Sequence, residues 1–109
     1  MKEAVTVYEL RKRGFKVKVG HYRMFYRYNE WTGKRMEVLA YGTTHNDDCG
    51  WWLLSATGGK TEVCITDSKG NDYFGSTVCS NSDPYVKAFG RKKALLRAYA
   101  SFKEENRGN

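Results

Sequence analysis

The sequence predicts an α+β fold in which an antiparallel sheet of five to six strands, bulged near Gly20, is packed by a C-terminal helix or helix pair. Two periodicities predict it. From about residue 4 to residue 79, apolar side chains recur at every second position between turns rich in Gly, Asn and Asp; beyond Cys79 they recur at helical spacing. Length sets the scale. The 109 residues make a single domain, 1–109, able to bury roughly two-thirds of its unfolded surface. Leu, Ile, Val and Phe total only twenty beside a net charge of +7, a balance close to that of disordered chains. Eight Tyr and three Trp decide for folding, because such large rings are held by a packed surface or a ligand.

The first strand is expected at Ala4–Tyr8, where Val5 and Val7 share a side, followed by a basic turn from Leu10 to Gly14. Phe15 to Tyr28 forms the longest strand, and its apolar phase changes midway. Phe15, Val17 and Val19 lie at odd positions, whereas Tyr22, Met24, Tyr26 and Tyr28 lie at even ones. An inserted residue reconciles the two halves, which places a bulge at Gly20-His21. On this reading the tyrosine face becomes core beneath the helix, leaving Arg23 and Arg27 for solvent or a ligand. Asn29 to Gly33 closes a hairpin onto a strand at Met36–Gly42. Thr43–Gly50 is a polar loop, Trp51–Leu54 reads as a strand covered on both faces, and Gly58-Gly59 as a tight reversal. Strands at Thr61–Thr66 and Tyr73–Cys79 flank a turn at Asp67–Asn71.

Ser80 to Pro84 signals a helix start, with Asp83 as cap and Pro84 at the first helical position. The helical segment spans about 83–103, lined by Tyr85, Phe89, Leu96 and Tyr99 with Ala88, Leu95 and Phe102 adjoining, and 104–109 forms a frayed tail. Gly90 costs the helix about 1 kcal/mol relative to Ala. Either the helix breaks there or something approaches its backbone closely.

Charge is unevenly spread. Residues 1–35 hold ten Lys and Arg against three acids, 36–90 three against seven, and 91–109 six against two. Basic segments gathered on one face suit a polyanion or a phosphate-bearing ligand. Arg91 and Lys92, beside a helix beginning near Gly90, are placed for a phosphate, with Arg97 further along. The plainer reading has Arg91 bracing the sheet through a carboxylate such as Asp83, with Lys92, Lys93 and Arg97 solvated. Arg23 and Arg27, interleaved with Tyr22, Tyr26 and Tyr28, form a second surface able to stack bases and meet phosphates.

Other chemistries are not signalled. Gly59-Lys60-Thr61 lacks the earlier glycine of a phosphate-binding loop, because Leu54 stands there. Cys49, Cys64 and Cys79 form an odd set without a paired spacing, and His45 near Cys49 has no orienting group. The chain is therefore expected to be no enzyme and to hold no cofactor and no metal. No apolar run is long enough to span a bilayer and the opening is not a signal peptide, so a cytoplasmic location without a membrane partner is expected. Exposed strand edges in a small sheet also allow a homo-oligomer.

Gly58-Gly59-Lys60-Thr61-Glu62-Val63, Asp67-Ser68-Lys69-Gly70, Gly75-Ser76-Thr77-Val78-Cys79, Asp83-Pro84-Tyr85-Val86-Lys87 and Gly90-Arg91-Lys92-Lys93-Ala94-Leu95-Leu96-Arg97-Ala98 together resemble a class of short phage-encoded proteins. The resemblance covers residues 58–98 and implies a phage origin, with action inside a bacterial host cell. Size and basic character are similar to those of counter-defence proteins, among them sponge proteins of the Thoeris anti-defence type. That likeness implies sequestration of an anionic nucleotide-type signal, with Arg91 and Arg97 gripping phosphates and Tyr73, Phe74 or Asn81 meeting a base or sugar. Two other partners fit the same basic surface: a nucleic-acid-handling defence complex, inhibited in the manner of an anti-CRISPR protein, or nucleic acid itself.

Overall fold

The computed structural model describes residues 5–48 and 50–107; Ala4, Cys49 and the last expected tail residues, 108–109, lie outside them. The expected class holds, since an antiparallel sheet carries a C-terminal helix and a small second sheet stands beside it. The first element differs from the expected strand. Thr6 Oγ1 accepts the Glu9 N–H at 3.0 Å, and Val7–Lys12 winds into α1. Thr followed three residues later by Glu is a helix-start pattern, and it outweighs the short alternation of Val5 and Val7. The helix ends where Gly14, at φ +94°, lets the Phe15 N–H reach back to the Leu10 carbonyl at 3.0 Å.

β1 (Lys16–Tyr28) and β2 (Arg35–Tyr41) form the expected hairpin, pairing from Tyr22↔Tyr41 to Tyr28↔Arg35. Its turn is tied by Asn29, whose side-chain oxygen accepts the N–H groups of Trp31 and Thr32. Within the expected polar loop, β3 (Asn46–Asp47) and β4 (Gly50–Trp51) make the small sheet. β5 (Leu53–Leu54) pairs with Phe25 and Tyr26 of β1. Trp51, Leu53 and Leu54 are exposed, not covered on both faces, because this stretch is split between two short ladders.

β6 (Thr57–Thr66) takes Gly58 and Gly59 into the strand, where a reversal was expected. Both have positive φ, and a Cβ at Gly59 would meet the Tyr85 ring. β7 (Asp72–Pro84) outruns its expected end at Cys79. The ladder carries on, since the Tyr85 N–H donates to the Ala56 carbonyl at 3.0 Å. Asp83 and Pro84 are thereby held extended, and long-range pairing overrides the local helix-start signal. The main sheet runs in the order β2-β1-β6-β7, with β5 on the β6 side of β1.

α2 (Lys87–Glu105) passes through Gly90 unbroken. Of the two expectations at Gly90, close approach is the one observed: a Cβ there would lie 2.5 Å from Thr61 Oγ1. The covered stripe of α2 is Gly90, Ala94 and Ala98, four residues apart, with Leu95 alongside. Phe89 and Leu96, expected to line the core, are exposed; Tyr99 and Phe102 pack against it as expected. Small residues bring the helix axis close to the sheet, and that displaces the large ones to its flanks.

By packing, the chain divides into two compact units: residues 1–20, 61–77 and 86–109, and residues 21–60 with 78–85. The first has a core of Leu10, Val17, Val63, Ile65 and Leu95 around the α2 stripe, each such side chain contributing about 1.5–3 kcal/mol when fully buried. In the second, Phe25 is fully buried. No helix among the described residues is long and apolar enough to cross a membrane.

Candidate functional site

With Gly90, Ala94, Leu95 and Ala98 turned to the sheet and Tyr99 and Phe102 packed beside them, the outer arc of α2 faces water. Lys87, Arg91, Lys92, Lys93 and Arg97 are all exposed. Lys93 Nζ lies 4.4 Å from the centre of the exposed Phe89 ring, and Arg97 Nη1 donates to the Ser76 carbonyl on β7 at 2.6 Å. Lys87, Arg91 and Lys92 pair with no acid among the described residues. Arg91 is therefore free of the brace that the plainer reading gave it.

Arg91 and Arg97 stand about 9 Å apart along the axis at 1.5 Å per residue, on opposite flanks of the covered stripe. They do not converge on one small anion. The surface beside Gly90 is filled by Thr61 and Thr77 from below, so the basic arc there is a ridge and not a recess. A groove of about 690 Å³ opens further along the helix, bordered by Val5, Leu96, Tyr99, Lys103, Glu104 and Arg107, the last two paired at 3.5 Å.

The other expected site residues divide. Phe74 is exposed, on the face of β7 turned away from its neighbour Tyr73. Tyr73 is core: it is 5% exposed, its ring meets Phe102 edge-on, and its hydroxyl donates to Asp67 and accepts from Asn106. It has no surface to offer a ligand. Asn81 is exposed, close to Gly58.

Arg23 and Arg27 are not left for solvent, because the face they share with the buried Phe25 is the covered one. Arg23 stacks 4.5 Å from the Tyr85 ring centre and donates to the Ser55 carbonyl, while its buried Nε finds no partner. Arg27 pairs with Asp47 at 3.2 Å and stacks 4.4 Å over Trp52, whose indole N–H also reaches Asp47. Both guanidinium groups bind their own chain. The tyrosines, expected beneath the helix, line the opposite face.

No protein-family model, no curated protein and no solved structure matches the chain. The charge of the chain is segregated: the unit holding α1 and α2 carries fourteen Lys and Arg against seven Asp and Glu, the other unit five against five. The whole surplus of +7 belongs to one unit. Sequence reasoning located the exposed cations of α2 but missed Lys87, whose signal was its place four residues, one helical turn, before Arg91. Among the described residues no three His, Cys, Asp or Glu side chains gather as a metal site.

Proposed function

We propose that this chain is a non-enzymatic binding protein that holds nucleic acid, as an extended polyanion, along the exposed basic ridge of α2. One observation carries the reading: the net positive charge is confined to the unit of α2, where Lys87, Arg91 and Lys92 lack acidic partners. Cations spaced along a ridge fit successive phosphates better than a single one, and Phe89 adds a ring against which a base can stack. The resemblance of residues 58–98 to short phage proteins supports a counter-defence role, in which covered nucleic acid is withheld from a host complex that must handle it.

The test is titration of labelled single-stranded RNA and duplex DNA at rising salt. Affinity should fall linearly on log–log axes, with a slope of about −0.7 per phosphate contact for a single strand and −0.9 for a duplex. Undetectable binding at low salt, or binding indifferent to salt, sinks the proposal. A second reading, capture of a nucleotide-type signal, is favoured by the groove that sets Lys103 against the Tyr99 ring, with Arg107 there already paired to Glu104. It requires cyclic nucleotides or ADP-ribose derivatives to raise the melting temperature, and Lys103→Ala to abolish the rise.

A further inference from the structure

Residues directly opposite in an antiparallel ladder share a face, so the pairing of β1 with β2 and β5 defines one side of the neutral unit. Tyr22, Tyr26 and Tyr28 of β1 stand there with Leu39 and Tyr41 of β2 and Leu53 of β5. This side is open: Tyr41 is 67% exposed, Tyr28 and Leu53 56%, and Leu39 43%. Its charged side chains in this ladder are Arg35 and Glu37, joined at 3.3 Å, with the Arg35 guanidinium 4.1 Å from the Tyr26 ring centre.

We propose that this tyrosine face is a self-association surface, covered in solution by the same face of a second copy of the chain. Charge selects that occupant. A molecule of net charge +7 repels its copies, but the unit bearing this face has equal numbers of cations and anions, so contact there adds no net like charge of its own. Nucleic acid is the poorer fit, because Arg35, the arginine of the ladder on this face, already has the Glu37 carboxylate beside it. Tyr and Arg enrichment with no Lys on the ladder matches the composition of protein interface cores. A two-fold axis near β2 sets Arg35 of one copy against Glu37 of the other and repeats the pair in reverse, as an isologous contact requires. Seven positions at about 3.4 Å give a patch roughly 24 Å long and two to three strands wide. That falls short of the roughly 800 Å² per partner of a standard complex, so the dimer is expected at micromolar concentration.

Sedimentation equilibrium of nuclease-treated protein tests this, in about 0.5 M salt to screen the repulsion between copies. The mass should climb from 12.6 kDa toward twice that as concentration rises to about 200 µM. Leu39→Lys, on the exposed side, should weaken association at least about tenfold while the circular dichroism spectrum and melting temperature stay as in the parent. Should that variant fail to fold, Arg35→Glu and Glu37→Arg provide the second arm: each alone weakens association, and mixing the two restores it as a heterodimer. A parent chain that stays monomeric throughout overturns the proposal, as does a folded Leu39→Lys that associates like the parent. So does a Leu39→Lys whose only defect is in binding single-stranded RNA, which would make the face a base-stacking platform. Self-association is read without nucleic acid and at high salt, so its failure is distinct from failure of the α2 reading.

Discussion

Gly75 of β7 lies directly against Ala98 of α2: a Cβ at Gly75 would overlap the backbone nitrogen of Ala98 and the carbonyl oxygen of Ala94. Strand and helix backbones meet there with no side chain between them. The obstructing atoms are main-chain atoms, which cannot turn aside, so Gly75→Ala must push the helix off the sheet and open gaps around Leu95 and Ile65. Overpacking of this kind costs about 1–3 kcal/mol. Chemical denaturation of Gly75→Ala should show a loss in this range or a chain that does not fold; unchanged stability would contradict the close approach.

At Gly90 two effects oppose each other. Replacing a helical Gly by Ala gains about 1 kcal/mol of propensity, but the new methyl would lie 2.5 Å from Thr61 Oγ1. Thr61 is itself buried, so its hydroxyl cannot swing into water. Gly90→Ala is therefore expected to destabilise, in contrast to an exposed helical glycine. In the double variant Gly90→Ala with Thr61→Ala the two losses should be less than additive, by roughly 0.5–3 kcal/mol as for residues in contact. Strict additivity of the melts would show that the two sites do not touch.

The N-cap of α1 has a simpler consequence. Thr6→Ala removes the acceptor for the Glu9 N–H and should cost about 1 kcal/mol. Thr6→Ser, which keeps the oxygen, should be close to neutral. Equal losses in the two variants would argue against the cap.

These positions also show what sequence can and cannot carry. The hairpin at Asn29, the turn at Asp67 and the strand character of β1 are set by local chemistry, and all were legible. α1 was legible in principle through Thr6 and Glu9, but Val5 and Val7 imitate a strand over so short a span. The start of α2 was not, because Asp83 is held extended by pairing with a segment nearly thirty residues earlier. Which face of β1 is covered is likewise a tertiary matter: Arg23 lies inside only because Tyr85 and Ser55 are brought to it. The exposed cations of α2 were readable because unpaired charge stays in water, whereas Tyr73 misled because its hydroxyl is satisfied by Asn106, 33 residues away.

Asp67 gives the fold a pH dependence of known sign. Its carboxylate accepts the backbone N–H groups of Asn71 and Lys69, the Asn71 amide and the Tyr73 hydroxyl. Led by the Asn71 N–H, these hold its pKa below the ordinary value of 3.8. A carboxylate depressed in the folded state contributes stability above its unfolded pKa and loses it as pH falls through the folded one. The parent should therefore lose more stability than Asp67→Asn on acidification below about pH 4, with a constant difference between the two at neutral pH. Parallel melting curves down to about pH 2 would remove Asp67 as the source.

The location of the nucleic-acid contact can be separated from the mere presence of positive charge. Lys92 and Lys93 lie on the outer arc of α2, whereas Lys16 and Lys18 are exposed on β1 of the same unit. Reversing either pair to Glu changes the net charge by the same amount, so long-range attraction falls equally in both variants. Only loss of direct phosphate contacts changes the salt slope. Lys92→Glu with Lys93→Glu should weaken binding of single-stranded RNA more than about tenfold and flatten the log–log slope by roughly one to two contacts' worth. Lys16→Glu with Lys18→Glu should lower affinity only a few-fold at about 0.05 M salt, with the slope preserved, and converge on the parent as screening increases. If the two variants trace the same salt curve, α2 is not the contact surface and the charge acts only at a distance.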